Sequence, residues 1–449
     1  MKMKTSASVA TAAALLGVPV RAATSGVFNV LSMNVAGLPA FLNDNGVPGD
    51  KTTNSEMIGS KFAEHGYDLI HAQEDFNYHA YIYKTDTHAY RTATSGGVPF
   101  GSGLNSLSNY DWTDFARVKW DVCSDASQSD CLTPKGFTFM RVRLSPAADG
   151  TASYVDAYNL HTDAGTEAGD LAARASNLYQ VADHIAARSA GNAVVVFGDT
   201  NSRYTRAADV LPGFLARAGL TDAQVELVHG GVPPAQEVLC ANPSTTDACE
   251  TVDKVFYRAG PLLSLAATHW AYAAAAFLQP DGSVLTDHNP VTANFTWAAG
   301  AALRQSAFWG GDGGDWFNDA VALAARSGGG GAPTVAALSL RGASRLDGVA
   351  VTLADGTALA HGGTGGTASA LTLAAGEAWT GALVCQGQRS GGTRIFYLKA
   401  TTSAGRTLEA GTATSDCATF AAPDGWAIVG FLGHEGDEID RLAFVYAPR

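Results

Sequence analysis

The sequence predicts an α/β layered domain followed by an all-β domain, and three observations carry that reading. The chain has 449 residues, more than one ordinary core holds at roughly 100–200 residues per domain. Strand-length apolar segments alternate with helix-spaced ones as far as about Trp297, as in layered α/β domains. From Leu303 onward the helical spacing stops, and strand-length segments recur between Gly-rich turns, the signature of an all-β domain.

Taken in order, Val27 to Val35 alternates like a strand entering a core. Ser55 to Glu64 suits a helix, and Asp68 to Gln73 reads as a strand. Tyr154 to Leu160 is another strand. Asp170 to Ser189 has helical spacing, with Leu171, Leu178, Val181 and Ile185 on one side. Ala193 to Gly198 is a short apolar strand, and Val252 to Tyr257 and Asn289 to Thr296 complete the first set. Ala298 to Ala302 reads as a short linker of small residues. Seven strand segments follow, from Val335–Leu340 to Ile439–Tyr446. Gly328 to Gly331 and His361 to Thr367 read as turns within that series.

Composition narrows the class. Apolar residues make up 46%, enough for sizeable cores. Net charge is −13 and no basic run occurs, which disfavours a nucleic-acid partner, because phosphate contacts need clustered Lys and Arg. Lys2 and Lys4, the uncharged stretch Ser6 to Val20 and the small residue Ala22 suggest a signal peptide over residues 1–22. The chain is thus expected to be secreted and extracellular. Its six cysteines then suit disulfides, and their spacing suggests Cys123 with Cys131, Cys240 with Cys249, and Cys385 with Cys417.

Function is written at the strand ends of the first domain. Asn34 ends the first strand, Glu74 follows the second, and His161 follows Tyr158-Asn159-Leu160. Asp199 and Asn201 follow Val194 to Gly198. Asp253 lies within Thr251 to Phe256, and Asp287 and His288 precede Asn289-Pro290-Val291. One aspartate after a strand is usually a turn or cap. Together these residues supply oxygen ligands for a hard cation and two histidines for proton transfer.

The segments SMNVAGLP, QED, NLHTDAG, VVVFGDTNSR, VDKVF and TDHNPV resemble, in order, the motifs of the endonuclease/exonuclease/phosphatase superfamily. The resemblance spans residues 27–297 and implies a four-layer sandwich in which helices flank two β-sheets, with Mg²⁺-dependent phosphodiester hydrolysis. It implies Glu74 as principal Mg²⁺ ligand, with Asn34 as a metal residue beside it or at a neighbouring metal position. His288 would act on the attacking water and Asp287 would orient its ring. Asp199 would align the water, while Asn201 and His161 would bond the phosphoryl oxygens. Asp253 matches a late acidic position, but Glu250 stands where the family usually has Ser.

Cys123 to Phe139, with Lys135-Gly136-Phe137, and Thr94 to Leu104 resemble segments of the secreted neutral sphingomyelinase branch, which implies a phospholipid head group as substrate. A disulfide-closed hairpin without a substrate role is the plain alternative for Cys123 to Phe139. Trp270, Tyr272 and Phe277 are either an aromatic tip for peripheral membrane contact or ordinary core.

Ala307 to Asp319 and Ala427 to Tyr446 resemble the opening and closing strands of jacalin-type lectins, which implies a β-prism over about 303–449 that binds glycans. Gly313 and Gly314 match the Gly-rich sugar loop, and Gly433, His434 and Asp437 match the late G-x-x-x-D loop. A secreted nuclease or phosphatase on the same scaffold, or a lectin with an inert enzyme-like domain, are the competing readings.

Overall fold

The computed structural model describes residues 24–96, 101–127, 130–145, 150–327 and 332–449. The expected leader, part of the Thr94–Leu104 loop and Gly328 to Gly331 lie outside these residues.

Six strands position the chemistry of the first domain: β1 (Ser25–Asn34), β2 (Leu69–Gln73), β3 (Ser153–His161), β4 (Val194–Asp199), β5 (Asp253–Arg258) and β6 (Val291–Ala299). β1 and β2 run parallel, and β6 lies antiparallel on the other side of β1. In the second sheet β3 and β4 are parallel and β5 returns antiparallel to β4. Each sheet has six strands. The helices are α1 (Lys51–His65), α2 (His79–Thr85), α3 (Ala168–Arg188) and α4 (Leu211–Ala218).

Side-chain alternation explains the layers. In β1, Phe28 and Val30 join Val155, Val195 and Phe295 in the core between the sheets. Leu31 and Met33 point the other way and pack with Ile58 of α1 and Ile82 of α2. In the second sheet Val196 and Tyr158 pack under Leu178, Val181 and Phe214 of α3 and α4. Strands covered on both faces read as continuous apolar runs, which is why Val194 to Phe197 carries no polar alternation. The order is helix, sheet, sheet, helix, the expected four-layer sandwich. α1 starts at Asp50, whose carboxylate accepts from Thr53 N at 2.8 Å, and stops at Gly66, left-handed at φ 63°.

The second domain has one sheet of five strands and two of four around a single core that includes Leu340, Val351, Trp379, Leu398, Phe431 and Phe444. It departs from the sequence reading at Ala320–Ser327, which is a helix whose Leu323 is buried in that core. The three cysteine pairs suggested by spacing are bonded, and no described cysteine is free.

His361 lies beneath this domain's surface. Its ring stacks on Phe317 at 3.9 Å, Nε2 lies 2.7 Å from Asp319 Oδ1, and Nδ1 lies 3.5 Å from Glu435. Burial would lower its pKa, but the two carboxylates outweigh burial and raise it to about 9. A folded-state pKa above the unfolded value near 6.5 stabilises fully at low pH and loses that stabilisation as pH rises through about 9. Stability is therefore expected to fall between pH 6 and pH 10 by on the order of 2–3 kcal/mol more in wild type than in His361→Gln. Urea midpoints across that range check this.

The segment expected to be a linker is not a loose tether. Ala298 and Ala299 are the last residues of β6, and Arg304–Gln305 already pairs with the final strand. The domains are docked through buried charge. Asp114 of the first domain contacts Arg141, Arg441 and His434. Arg141 also holds Asp156 at 2.8 Å, and its guanidinium lies 3.7 Å from the centre of the Trp316 ring. Trp316 Nε1 donates to Ala190 O at 3.1 Å. Burial alone would raise the Asp114 pKa. Arg141, His434 and Arg441 hold it well below the usual carboxylate range.

Candidate active site

The polar strand-end residues meet because the strands end on one edge of the sandwich. His161 is paired with Asp199 across β3–β4, and Asp199 with Asp253 across β4–β5. Asn34 closes β1, and Glu74 follows β2 with a left-handed φ of 54°. Glu74, Lys135, His161, Asp199, Asn201 and His288 line a cleft of about 610 Å³, and Asp253 lines an adjoining one that shares Asn201 and His288 with it.

At its centre, Asn34 Nδ2 donates to Glu74 Oε1 at 3.1 Å and lies 3.3 Å from Asp199 Oδ2. His288 Nδ1 lies 2.9 Å from Asp253 Oδ2, and Nε2 lies 3.4 Å from Asn34 Nδ2. Asp199 Oδ1 accepts from Asn201 N at 2.9 Å. Asn201 has φ 44° and donates through Nδ2 to Thr162 O at 3.1 Å. His161 Nε2 is 3.2 Å from Lys135 Nζ and 3.4 Å from Asp199 Oδ2.

These contacts differ from the expectation at His288. Asp253, not Asp287, orients the His288 ring. Asp287 instead accepts from Asn45 Nδ2 at 3.0 Å. The reason is register, since antiparallel β5 brings Asp253 beside Asp199. Glu250, at the position where the family usually has Ser, accepts from Tyr204 N and Thr205 Oγ1 and pairs with Lys254. Asn34 Oδ1 accepts from Ala36 N at 3.0 Å, and its NH₂ faces the Glu74 and Asp199 carboxylates.

Burial raises the Glu74 pKa first; Lys135, Asn34 and His288 pull it down, and the upward shift wins. Burial likewise raises Asp199, reinforced by Asp253 and opposed by His288. His288 goes the other way: Asp253 and Asp199 outweigh burial and raise it well above 6.5. Burial, Lys135 and His288 hold His161 far below 6.5, so its ring is neutral. Glu74 Oε2 and Asp253 Oδ1 are buried with no hydrogen-bond partner, and Asp199, Asp253 and His288 offer ligand atoms within 4.8 Å of one another. Buried carboxylate oxygens left unpaired are costly, and this donor set fits a hard, oxygen-preferring divalent cation.

Lys135 is the site residue that the sequence placed only in a family-like segment. Its signal was Lys-Gly-Phe beside the Cys123–Cys131 disulfide; it pairs with Asp130 and points its ammonium at His161. His79, near Glu74 in sequence, bonds Asp75 at 2.7 Å behind the cleft. Trp270 and Phe277 are buried, so they are core and not an aromatic tip.

In the second domain Gly313 and Gly314 come together with the late loop, but not as expected. Gly314 lies against the Asp440 carboxylate and the Glu435 carbonyl, and Gly313 against the Arg394 guanidinium. Arg394 holds Asp440 at 2.5 Å. Asp437 is exposed, and its backbone lies against Gly363. Gly433 is buried within the strand Trp426–Glu435, where it faces Arg441 O. His434 is also buried. It lies 2.9 Å from Gly313 O and 3.5 Å from Asp114 of the first domain, so it is an interdomain contact in place of a sugar contact.

Residues 50–229 match the family model described as Endonuclease/Exonuclease/phosphatase family 2, and residues 306–445 match the Jacalin-like lectin domain. Proteins called sphingomyelinase from Mycobacterium bovis and Mycobacterium tuberculosis are 36% identical over 298 residues, which is 65% of this chain and 57% of theirs. The chain thus spans 57% of the length of these curated relatives. Among solved structures, sphingomyelinase C from Streptomyces griseocarneus aligns with 18% identity and a TM-score of 0.41, covering 60% of this chain and 99% of that one. A mannose-binding jacalin-related lectin from Ananas comosus aligns with 20% identity and a TM-score of 0.28, covering 33% and 99%. The chain is therefore similar to the endonuclease/exonuclease/phosphatase family 2 over residues 50–229 and to the jacalin-like lectin domain over residues 306–445.

Proposed function

We propose that this chain is a secreted, Mg²⁺-dependent phosphodiesterase of the sphingomyelinase type that hydrolyses a phospholipid head group, and that its C-terminal domain binds glycans. The observation that carries the reading is the convergence of Glu74, Asp199 and the Asp253–His288 pair on one cleft beside Lys135. The curated relatives bear the name sphingomyelinase, which supports the choice of substrate. The disulfides support an extracellular setting.

The residues divide the work as follows. Asp253 accepts the Nδ1 proton and orients the His288 ring, so Nε2 faces the cleft as the acid-base group that exchanges a proton with the attacking water or the leaving oxygen. Asp199 is placed to accept a hydrogen bond from that water. Lys135 and Asn201 line the cleft where negative charge grows on the phosphoryl oxygens. Glu74, with Asp199 and Asp253, would hold Mg²⁺, which when bound neutralises phosphoryl charge and assists the leaving oxygen.

Glu74→Gln tests the metal assignment. It keeps the shape and removes a buried, half-paired charge. Calorimetric Mg²⁺ affinity is expected to drop at least about tenfold and turnover to fall with it, while the cation-free variant melts no lower than wild type. Unchanged Mg²⁺ affinity would move the cation elsewhere. Parallel assays on sphingomyelin, DNA and inositol phosphates test the substrate. Sphingomyelin is expected to release phosphocholine, and selective cleavage of DNA or inositol phosphates would assign the scaffold to another branch.

A further inference from the structure

Lys51 is only 7% exposed, and its ammonium is held by uncharged oxygens. Ala36 O, Leu38 O, Asn43 O and Asn45 Oδ1 each accept from it at 2.8 Å. No carboxylate among the described residues lies close enough to form an ion pair with it. The placement is unfavourable on two counts. A buried cation without a counter-ion is expensive. Lys51 also opens α1, and the first turn of a helix favours anions over cations. Burial lowers its pKa, and the more distant Glu74, Asp287 and Asp44 oppose that shift. The offsetting gain is the structure that the ammonium holds.

The four oxygens belong to residues 36–45, and this segment reaches the catalytic groups at both of its ends. Ala36 has a left-handed φ of 51°, which alanine keeps only where its surroundings hold it. Lys51 takes the Ala36 carbonyl, while Ala36 N donates to Asn34 Oδ1 at 3.0 Å. That bond turns the Asn34 amide toward Glu74 and Asp199. Gly37 packs so near Glu74 that an added Cβ would lie 2.3 Å from the Glu74 carbonyl oxygen. At the far end Asn45 accepts from Lys51 through Oδ1 and donates through Nδ2 to Asp287 Oδ2 at 3.0 Å. Lys51 itself does not line the cleft.

We propose that Lys51 is a positioning residue for the reaction: its ammonium acts as a tethered cation that, through Ala36 and Asn45, sets Asn34 against Glu74 and Asp287 beside His288. It touches neither substrate nor reacting atoms. Its effect passes through the hydrogen bonds at the two ends of the segment it fastens. The assignment rests on the reading of the cleft as a cation-dependent phosphodiesterase site, and it does not depend on which phosphodiester is cleaved.

The test measures Mg²⁺ affinity of the full chain by calorimetry, without substrate, and turnover of bis(p-nitrophenyl) phosphate. Lys51→Met keeps an unbranched side chain and removes the charge. It is expected to weaken Mg²⁺ binding and to lower kcat, each at least about tenfold, with KM changed less than about threefold. Direction separates positioning from charge alone. Loss of a nearby positive charge would by itself tighten Mg²⁺ binding, so tighter or unchanged binding by folded Lys51→Met overturns the proposal. Lys51→Ala empties the cradle of oxygens, and ammonium chloride is expected to restore part of both readouts where sodium chloride at equal ionic strength does not. Equal behaviour in the two salts overturns it, because lost packing would not answer to the ion. Should neither Lys51 variant fold, Asn45→Ala decides, since it leaves Lys51 three oxygens and cuts the bond to Asp287. Its kcat is expected to fall at least about threefold, and a wild-type kcat overturns the proposal. Lys84→Met, which removes an exposed lysine paired with Glu56, is expected to match wild type. Lys51-dependent turnover of the soluble diester without phosphocholine release from sphingomyelin would leave the positioning role standing and remove the head-group reading.

Discussion

His288→Ala is expected to lower kcat by about 10²–10⁴-fold, the usual contribution of a general acid-base group, with a much smaller change in KM. The reason is positional. His288 Nδ1 is committed to Asp253 at 2.9 Å, which leaves Nε2 as the ring atom available to the cleft. Removing the ring removes the acid-base group but none of the oxygen donors that would hold a cation. Asp253→Asn should cost less than His288→Ala and shift the acidic limb of the kcat–pH profile downward. An amide cannot supply the carboxylate charge that raises His288, so the ring would protonate at lower pH. Steady-state kinetics from pH 5 to 9 on both variants decide this. A pure KM effect for His288→Ala would make it a binding group. An unmoved pH profile for Asp253→Asn would return the orienting role to Asp287.

Asp114→Ala is expected to destabilise the protein by about 3–5 kcal/mol, the range for breaking a buried ion pair by removing one partner. Asp114 is the carboxylate shared by Arg141 and Arg441, and all three are buried. Arg141 keeps Asp156, but Arg441 keeps only Thr113 and Gly310 O as hydrogen-bond partners. The Asp114→Ala/Arg441→Leu pair should lose less than the sum of its single variants, because the second change removes the stranded charge. Denaturant unfolding measures all three. A loss below about 1 kcal/mol for Asp114→Ala would mean that the docking of the domains rests on the Trp316 contacts instead.

Much of this architecture is legible in the sequence because its cause is local. Val194 to Phe197 is apolar throughout since both faces are covered, and Asp199 stands out because a buried strand has no other use for it. The three disulfides are close in sequence or bridge neighbouring strands. What was hidden depends on register and distance. Asp253 became the partner of His288 only through the antiparallel pairing of β5 with β4. Nothing in the sequence links Asp114, Arg141 and Arg441, and the last lies over three hundred residues from the first. Lys51 precedes the segment expected to be helical, and only the folded chain brings its ammonium to four oxygens. His434 looked sugar-facing by its place in a motif, and the docking of the domains turned it inward.

The most direct test is phosphocholine release from sphingomyelin by the full chain after EDTA treatment, with Mg²⁺ added back. The expected result is no release in EDTA, release restored by Mg²⁺ in wild type, and little restoration in Glu74→Gln. Release that continues in EDTA, or that Glu74→Gln recovers as fully as wild type, would contradict a Mg²⁺-dependent phosphodiesterase centred on this cleft.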